Sequence, residues 1–336
     1  MRVGLACTPV YRLCLLIVFG VVVLLVTPFL GMQRITPHML WRAETSDMAA
    51  TIFWQLRAPR TVMAFLVGAA LSLSGLVFQA MFCNPLATPY TLGIAGRAAL
   101  GAALYIRVGI VFTLLGLSGQ TLSAFVGAVL TMALVYGLSR LQDRFTMGSI
   151  LLAGVAISFF CSSSILFIQY ICGFTHLFRI TRWLMGELAV TGFDAVQEVA
   201  PLVFVGSTII FCMGKELNLL ATGEELAVSR GLNIRWVKHV LFFATSLMVG
   251  GIVACCGPIG FVGMMAPHIC RLLVGADHRL LIPATFVFGG CFLTLCDTLA
   301  RVLVAPAEMP VGVITALLGG PFFVWLLVSD GLSPTR

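Results

Sequence analysis

Charged side chains are scarce in this chain. Asp, Glu, Lys and Arg together make up only 10% of its 336 residues, whereas a soluble globular domain carries about 25%. Hydrophobic residues account for 60% of the chain, and the mean hydropathy is +1.07. This composition excludes a soluble globular protein and predicts one that crosses a membrane several times.

Motifs for catalysis and nucleotide binding are also missing. The sequence contains no G-x-x-x-x-G-K-[ST] phosphate loop, no nucleophile elbow and no zincin helix. No loop is large enough to house a catalytic domain. We therefore expect a chain that is not an enzyme and binds no cofactor of its own. The net charge of +7 is modest and no basic run alternates with aromatic residues, so nucleic acid is not an expected partner.

Cysteines are present, but they do not have the spacing of a metal or redox site. None of the eleven forms a C-x-x-C pair, and most lie within apolar runs. In such runs cysteine behaves as a small hydrophobic residue. We therefore expect no metal site.

Apolar runs divide the chain into about ten candidate membrane spans, since a helix needs about 20 apolar residues to cross the hydrocarbon core. The predicted spans are 13–33, 60–82, 91–106, 118–138, 149–171, 197–213, 236–255, 259–275, 281–304 and 311–329. The first lacks a small-residue cleavage site and is predicted to be an uncleaved helix. The predicted fold class is an all-α polytopic membrane protein.

Basic residues orient these spans, because they accumulate on the cytoplasmic side. Placing both termini in the cytoplasm puts the larger share of Lys and Arg inside. The outer side still keeps Arg34, Arg42, Arg57, Arg60, Arg107, Arg179, Arg182 and Arg301. Arginines kept outside against the usual rule point to a function there.

Three of the outer arginines mark helix ends: Arg57 and Arg60 open the second span, and Arg301 closes the ninth. Guanidinium groups form planar, bidentate pairs with carboxylates, which suits docking of an acidic partner. The alternative is that they anchor helix ends at lipid headgroups. Asp297 is an acid well inside a predicted span, and such acids often mark functional sites. It lies one turn before Arg301, however, so a local ion pair is expected.

A proline-interrupted segment, Asn84-Pro85-Leu86-Ala87-Thr88-Pro89, follows the second span. Its two prolines forbid a continuous helix. Broken backbone at membrane depth is tolerated where it lines a cavity or is buried in protein. The segment is therefore either a gate or an ordinary interhelical turn.

A long polar stretch runs from Lys215 to Lys238 on the predicted cytoplasmic face. Thr222 and Glu225 have the spacing of a capping box, and Gly231 suits a helix stop. We expect one or two short amphipathic helices here, which would offer another subunit a contact surface. A solvated loop is the alternative.

A glycine-rich segment from Cys256 to Gly263 leads into Pro267, His268 and Arg271. Its glycines allow helices to approach closely. His268 is either a proton relay or ligand, or a structural residue near a helix end, and the structural interpretation is favoured.

These motifs together resemble the FecCD-type permeases of bacterial ABC importers, which include iron-siderophore, haem and vitamin B12 permeases. The resemblance covers residues from about 50 to about 329. The matching segments are Arg57-Ala58-Pro59-Arg60-Thr61, Gly68-Ala69-Ala70-Leu71, Asn84-Pro85-Leu86-Ala87, Trp183-Leu184-Met185-Gly186, Asn218-Leu219-Leu220-Ala221 with Gly223-Glu224, Gly257-Pro258-Ile259-Gly260-Phe261-Val262-Gly263, Pro267-His268, Asp277-His278-Arg279 and Pro310-Val311-Gly312.

The resemblance implies a vitamin B12 permease-like fold of about ten helices in the bacterial inner membrane. Two permease copies, in a homodimer or a heterodimer, would surround one pathway. A cytoplasmic ABC ATPase dimer would use ATP and Mg²⁺, and a periplasmic or lipid-anchored binding protein would deliver the substrate. Iron chelates (siderophore or haem) are the expected cargo, with cobalamin as the alternative.

A secondary transporter driven by an ion gradient is the rival class. Such a protein needs several ionisable groups at mid-depth in the membrane. This chain offers little there beyond Asp297 and Arg97. The ABC importer is therefore the favoured interpretation.

The family's functional positions map onto this chain motif by motif. Docking of the binding protein falls on Arg57, Arg60 and Arg301, which would pair with glutamates on its two lobes. ATPase coupling falls on 219–232, with Leu220, Gly223, Glu224, Glu225, Arg230 and Gly231. The cytoplasmic gate falls on Asn84, Leu86, Met147 and Gly148. Met147-Gly148 differs from the small hydroxyl pair expected in the vitamin B12 branch, which argues against cobalamin as substrate.

One residue departs from the family pattern. Relatives carry small residues, commonly Ser-Gly before an Ala-Ala pair, where this chain has Ile94-Ala95-Gly96-Arg97-Ala98-Ala99. An arginine at a helix centre costs about 2.5–3.5 kcal/mol on insertion scales, and less if it snorkels. Arg97 either snorkels to cytoplasmic water, faces an anionic substrate, or impairs the protein, and snorkelling is the favoured interpretation.

Overall fold

The computed structural model describes residues 8–31, 33, 35–42, 48–89, 94–109, 113–114, 117–119, 122–123, 125–127, 130, 147–304 and 306–331. Within these ranges the regular structure is helical apart from one small hairpin, in which Thr113–Leu114 (β1) pairs antiparallel with Leu117–Ser118 (β2). The predicted all-α fold class is confirmed.

The described chain combines long apolar helices with short connecting ones. In chain order the helices are α1 (Pro9–Val26), α2 (Pro37–Arg42), α3 (Met48–Thr51), α4 (Ala58–Met81), α5 (Ile94–Val108), α6 (Met147–Ile171), α7 (Phe174–Leu184), α8 (Asp194–Cys212), α9 (Gly214–Leu220), α10 (Glu224–Ser229), α11 (Ile234–Cys256), α12 (Val262–Val274), α13 (His278–Val302) and α14 (Val311–Gly331). A 3₁₀ turn, Thr27–Phe29, follows α1, and a π-helical stretch, Ile52–Arg57, joins α3 to α4.

Several of these helices are apolar enough to cross a membrane. Five segments of the described chain also have the length: Pro9–Phe29, Met48–Met81, Asp194–Cys212, Ile234–Cys256 and His278–Val302. Shorter apolar helices, at Ala98–Val108, Ala156–Ile171, Val262–Val274 and Val311–Leu326, overlap four further predicted spans. The predicted span 118–138 lies largely outside the described residues, so the total of ten stays a prediction.

The first predicted span, 13–33, runs too far. Helix α1 ends at Val26, a 3₁₀ turn containing Pro28 follows, and Leu30 is extended with a ψ of 128°. Proline has no backbone N–H to continue the helical hydrogen bonds. The apolar run Phe29-Leu30 therefore belongs to a connecting segment and not to the helix.

Helix α4 is the centre of the packing. Every residue from Val67 to Met81 is buried, and α8, α11, α12 and α13 all pack against it. A Cβ built on Gly75 would lie 1.7 Å from the Gly263 carbonyl oxygen, and one on Gly68 would lie 2.2 Å from the Gly289 carbonyl oxygen. Glycine at these positions lets α4 approach α12 and α13 backbone to backbone.

Helix α6 presents an exposed apolar surface. Phe159 and Phe160 are 70% and 69% exposed, Phe167 is 65% exposed and Tyr170 is 88% exposed. Aromatic side chains in water at this density would be unfavourable. In a bilayer the same surface suits acyl chains or a neighbouring apolar helix.

Candidate functional site

Three arginines meet where two central helices start and end. Arg57 ends the π-helical stretch, Arg60 lies in the first turn of α4, and Arg301 lies in the last turn of α13. Because α4 and α13 run antiparallel, the start of one lies beside the end of the other. Following the predicted orientation, we call this the outer end of the bundle and the opposite end the cytoplasmic end. All three arginines are buried, at 7–8% exposure.

Asp297 lies between two of these arginines. Its Oδ1 and Oδ2 accept hydrogen bonds from Arg60 Nε at 2.9 and 3.1 Å. Arg301 Nε approaches Oδ2 to 3.1 Å, but its N–H is not directed at that oxygen. The expected pair of Asp297 with Arg301 exists, while Arg60 is the better bonded partner. A carboxylate that is 1% exposed needs such partners, since an unpaired buried charge is costly.

Glu308 is a second carboxylate on Arg60, and the sequence interpretation missed it. Arg60 Nη1 donates to Glu308 Oε2 at 2.6 Å, and the Glu308 side chain is 48% exposed. The sequence signal that could have identified Glu308 is its position shortly after Arg301, in the segment between α13 and α14. We call Arg57, Arg60, Asp297, Arg301 and Glu308 the outer charged cluster.

Arg57 has a structural task within this cluster. Its Nη1 donates to the carbonyl oxygens of Pro28 and Phe29, both at 3.3 Å, and its Nη2 donates to that of Gln33 at 2.6 Å. A Cβ on Gly31 would lie 2.7 Å from Arg57 Nη2, so the segment wraps closely around the guanidinium group. Arg57 therefore holds the chain that follows α1, and its predicted docking role would come in addition.

The proline-interrupted segment forms a tight turn at the cytoplasmic end. Asn84 Oδ1 accepts a hydrogen bond from the Leu86 amide at 2.9 Å, and the Asn84 carbonyl oxygen accepts one from the Ala87 amide at 3.1 Å. The preceding Cys83, at a φ of +46°, places its Sγ 3.5 Å from the carbonyl oxygen of Leu220. The residue that precedes the predicted gate residue Asn84 therefore contacts the predicted coupling residue Leu220.

Three other predicted positions are described only in their backbone. Arg97 lies in α5, and Met147 and Gly148 start α6, but their side-chain surroundings are outside the described residues. Next to Arg97, Ala98 and Ala99 are buried at 0% and 3% exposure. The roles given to these three residues stay predictions.

The predicted coupling segment 219–232 contains the end of α9 and the whole of α10, and we call these two short helices the cytoplasmic helix pair. Leu220 ends α9, and Glu224 and Glu225 begin α10. The capping box predicted for Thr222 is wrong, because the residue that precedes α10 is Gly223. Its φ of +102° is a conformation that glycine adopts without strain. The Thr222 hydroxyl donates to the Leu219 carbonyl oxygen instead.

Helix α10 presents a mixed apolar and acidic face. Leu226 and Val228 are 54% and 60% exposed. Beside them lies an open groove of about 590 Å³ lined by Glu224, Glu225, Val228, Leu232, Asn233, Ile234 and Arg235. Arg230 caps the end of α10 and Gly231 follows at a φ of +80°, as the predicted helix stop requires. Exposed apolar groups rimmed by charge suit contact with another subunit.

Asn218 ties α9 to the start of α13. Its Nδ2 donates to Asp277 Oδ1 at 2.7 Å, and its Oδ1 accepts from the His278 amide at 2.8 Å. The hydrogen bond from Asn218, followed by that from the Arg279 amide, lowers the pKa of Asp277 below its ordinary value. A displacement of α9 would therefore be passed directly to α13.

His268 packs against an aromatic ring. Its ring centroid lies 5.9 Å from that of Phe322, edge to face. In the parts of the chain that the structure describes, no three His, Cys, Asp or Glu side chains are placed to hold a metal ion. The choice between a structural role and a proton relay or ligand for His268 stays a prediction.

Comparisons with known proteins place nearly the whole chain in one family. The family model described as the FecCD transport family matches residues 15–329. The hemin transport system permease of Yersinia pestis is 36% identical over 321 residues, which cover 95% of this chain and 96% of that protein. The vitamin B12 import system permease of Escherichia coli is 37% identical over 328 residues, or 96% of this chain and 95% of that one.

A solved structure supports the same assignment. It is described as an inward-facing conformation of a metal-chelate type ABC transporter, and it matches with a TM-score of 0.83 at 31% identity. The match covers 94% of this chain and 98% of the other, so the fold expected from the resemblance is confirmed. The chain belongs to the FecCD transport family and is an ABC importer permease.

Proposed function

We propose that this chain is the permease subunit of a binding-protein-dependent importer that moves an iron chelate across the bacterial inner membrane. The observation that carries the mechanism is that α4 and α13 each reach from the outer charged cluster to the cytoplasmic helix pair. At the outer end they supply Arg60 and Arg301. At the cytoplasmic end Cys83, just past α4, meets Leu220, and the start of α13 meets Asn218.

Alternating access is the mechanism that we propose for this connection. A docked binding protein acts on the arginine ends of α4 and α13, while ATP-driven closure of a partner ATPase dimer acts on α9 and α10. A ligand shifts a conformational equilibrium only through different contact free energies with the two states. Here docking of the binding protein and closure of the ATPase dimer both act on α4 and α13. These two helices are held together by the close contact of Gly68 with Gly289.

Docking of the binding protein on Arg57, Arg60 and Arg301 is part of this proposal. Its support is the clustering of three guanidinium groups at one outer site, since guanidinium pairs well with carboxylate. Arg57→Glu combined with Arg60→Glu should weaken the affinity for the binding protein by about tenfold or more, because attraction becomes repulsion. The measurement is the Kd for the purified binding protein on permease in nanodiscs.

Arg182→Glu is the matched control for that experiment. Arg182 lies on the same side of the protein in α7 and pairs with Glu187, but it stands outside the outer charged cluster. Its reversal should change the Kd far less than the double reversal does. Because Arg57 also holds the segment after α1, thermal unfolding of each variant is compared first. An unchanged Kd in a folded double variant would contradict docking at these arginines.

The iron-chelate cargo is proposed from proteins that are similar to this chain. Support comes from the hemin permease relative and the metal-chelate transporter structure, while the vitamin B12 relatives support cobalamin as the second candidate. The test is a binding assay of the system's binding protein against a ferric siderophore, haem and cobalamin. Tight binding of an iron chelate is the expected result. Binding of cobalamin alone would overturn this part of the proposal.

A secondary transporter driven by an ion gradient has less support. Its hallmark is a set of ionisable groups near the middle of the membrane. Asp297, which the sequence placed at mid-depth, lies close to the outer end of α13 and is paired with Arg60 and Arg301. A group held between two cations suits a fixed ion pair better than a site that loads and releases a proton.

A further inference from the structure

Arg60 has two carboxylate partners that differ in exposure. Asp297, on its Nε, is 1% exposed and belongs to the helix α13. Glu308, on its Nη1, is 48% exposed and belongs to the segment between α13 and α14. The first partner is built into the helix bundle, and the second covers the guanidinium group from the outside.

The Glu308 segment is held mainly by its own backbone. The Met309 amide donates to the Ala300 carbonyl oxygen at 3.2 Å, and the Ala307 amide donates to the Val304 carbonyl oxygen at 3.0 Å. These bonds fix the turn without involving the Glu308 carboxylate. The side chain can therefore leave Arg60 while the turn stays folded.

Access to Arg60 depends on this side chain. The Arg60 side chain is only 10% exposed while Glu308 sits on it. An acidic group arriving from outside would have to take the Nη1 position that Glu308 Oε2 now occupies at 2.6 Å. A guanidinium group binds one carboxylate at a given edge, so the two acids would compete for it.

The net charge of the cluster also favours the binding of an incoming acid when Glu308 leaves Arg60. Three arginines and two carboxylates give the outer charged cluster a net charge of +1. When Glu308 swings away, the remaining groups carry +2. Arg57, by contrast, bonds three neutral carbonyl oxygens, so its charge is not held by a competing acid.

We propose that Glu308 is a resident substitute for a carboxylate of the binding protein, and that docking exchanges one acid for the other on Arg60. This inference rests on the proposed docking function and adds a residue that sets its affinity. In the undocked permease Glu308 keeps Arg60 paired. On docking, an acidic side chain of the partner takes its place and Glu308 turns to solvent.

The test measures the Kd of the system's purified binding protein on permease in nanodiscs. Glu308→Gln should tighten docking about tenfold, because a charged competitor is replaced by a weaker neutral one. Glu187→Gln is the matched control, since it removes the same charge from a carboxylate paired with Arg182 on the same side of the protein. It should change the Kd less than about twofold.

Arg60→Ala separates exchange on Arg60 from a general charge effect. Alone, it should weaken docking. In its background Glu308→Gln should give no further tightening, because the group for which the acids compete is gone. Tightening of the same size with or without Arg60 would overturn the exchange.

Two other results would also overturn it, and they have different meanings. If Arg60→Ala weakens docking while Glu308→Gln leaves it unchanged or weaker, the exchange is wrong and the docking function stands. If Arg60→Ala has no effect, docking at Arg60 fails together with the exchange. Thermal unfolding of Glu308→Gln should match that of the unaltered protein, since Glu308 is half exposed and its turn is held by backbone bonds.

Discussion

At the scale of single residues, Asp297 supplies the buried negative charge that compensates two arginines at the outer end. It lies between Arg60 and Arg301 with 1% of its surface exposed. Two buried guanidinium groups this close repel each other unless an anion stands between them. The Asp297 carboxylate therefore allows the ends of α4 and α13 to pack side by side although both carry an arginine.

Asp297→Asn should lower the free energy of unfolding by about 3–5 kcal/mol, because removing one partner leaves buried charges uncompensated. Denaturant unfolding of the purified protein in detergent measures this. Glu308→Gln is the control and should cost about 0.5 kcal/mol or less, since the Glu308 side chain is half exposed and Arg60 keeps Asp297 as its buried partner. Equal losses in the two variants would contradict the central place given to Asp297.

Sequence reasoning named four of the five residues of this cluster but predicted only one of its three ion pairs. The pairing of Asp297 with Arg301 could be predicted because residues four apart share a helix face. The pairing of Asp297 with Arg60 spans 237 positions, and that of Glu308 with Arg60 spans 248. Contacts of that range depend on how helices are arranged in space, which local spacing does not encode.

At the scale of helices and turns, glycine decides how closely α4 packs. Gly75→Ala would place a methyl group 1.7 Å from the Gly263 carbonyl oxygen, so α4 and α12 would have to separate. The expected loss is about 1–3 kcal/mol in the free energy of unfolding, together with reduced transport. Gly320→Ala, in α14 with no atom within 4 Å, is the control and should be neutral. If neither substitution lowers the free energy of unfolding or transport, α4 and α12 can separate without cost, which would contradict this prediction.

The link between α9 and α13 predicts a change in acid sensitivity. The pKa of Asp277 is lowered chiefly by the hydrogen bond from Asn218. A carboxyl group with a lowered folded-state pKa adds stability above its ordinary pKa and loses it as the pH falls through the lowered value. Asn218→Ala removes the main cause, so less stability should remain to be lost on acidification.

Unfolding measured from neutral pH down past 3.8, the ordinary pKa of Asp277, follows this change. Asn233→Ala is the control, because Asn233 caps α11 and accepts from the Trp236 amide without touching Asp277. It should lower stability at every pH and leave the acid dependence as it was. If Asn218→Ala keeps the full acid dependence, Asn218 is not the group that sets the pKa of Asp277.

Prediction of helices and turns succeeded where the signal was local. Apolar length located the helices, and Gly231 marked the end of α10. It failed at Thr222, because the spacing of a capping box does not reveal that the backbone turns at Gly223 with a positive φ. It also failed at the end of α1, where an apolar run continued past Pro28 after the helix had ended.

At the scale of the whole molecule, two helices connect the outer charged cluster with the cytoplasmic helix pair. Helices α4 and α13 pack antiparallel through Gly68 and Gly289, and each has one end near the outer charged cluster and the other near α9. Closely packed interiors transmit strain. In the function that we propose, this connection links docking on one side of the membrane to ATPase action on the other.

The most direct test of this account is uptake of a radiolabelled iron chelate into proteoliposomes. They would contain the permease with its ATPase, hold ATP inside and receive the loaded binding protein outside. We predict that uptake requires both ATP and the binding protein and is unaffected by a protonophore. Uptake that proceeds without ATP and collapses when the protonophore is added would contradict an ATP-driven importer.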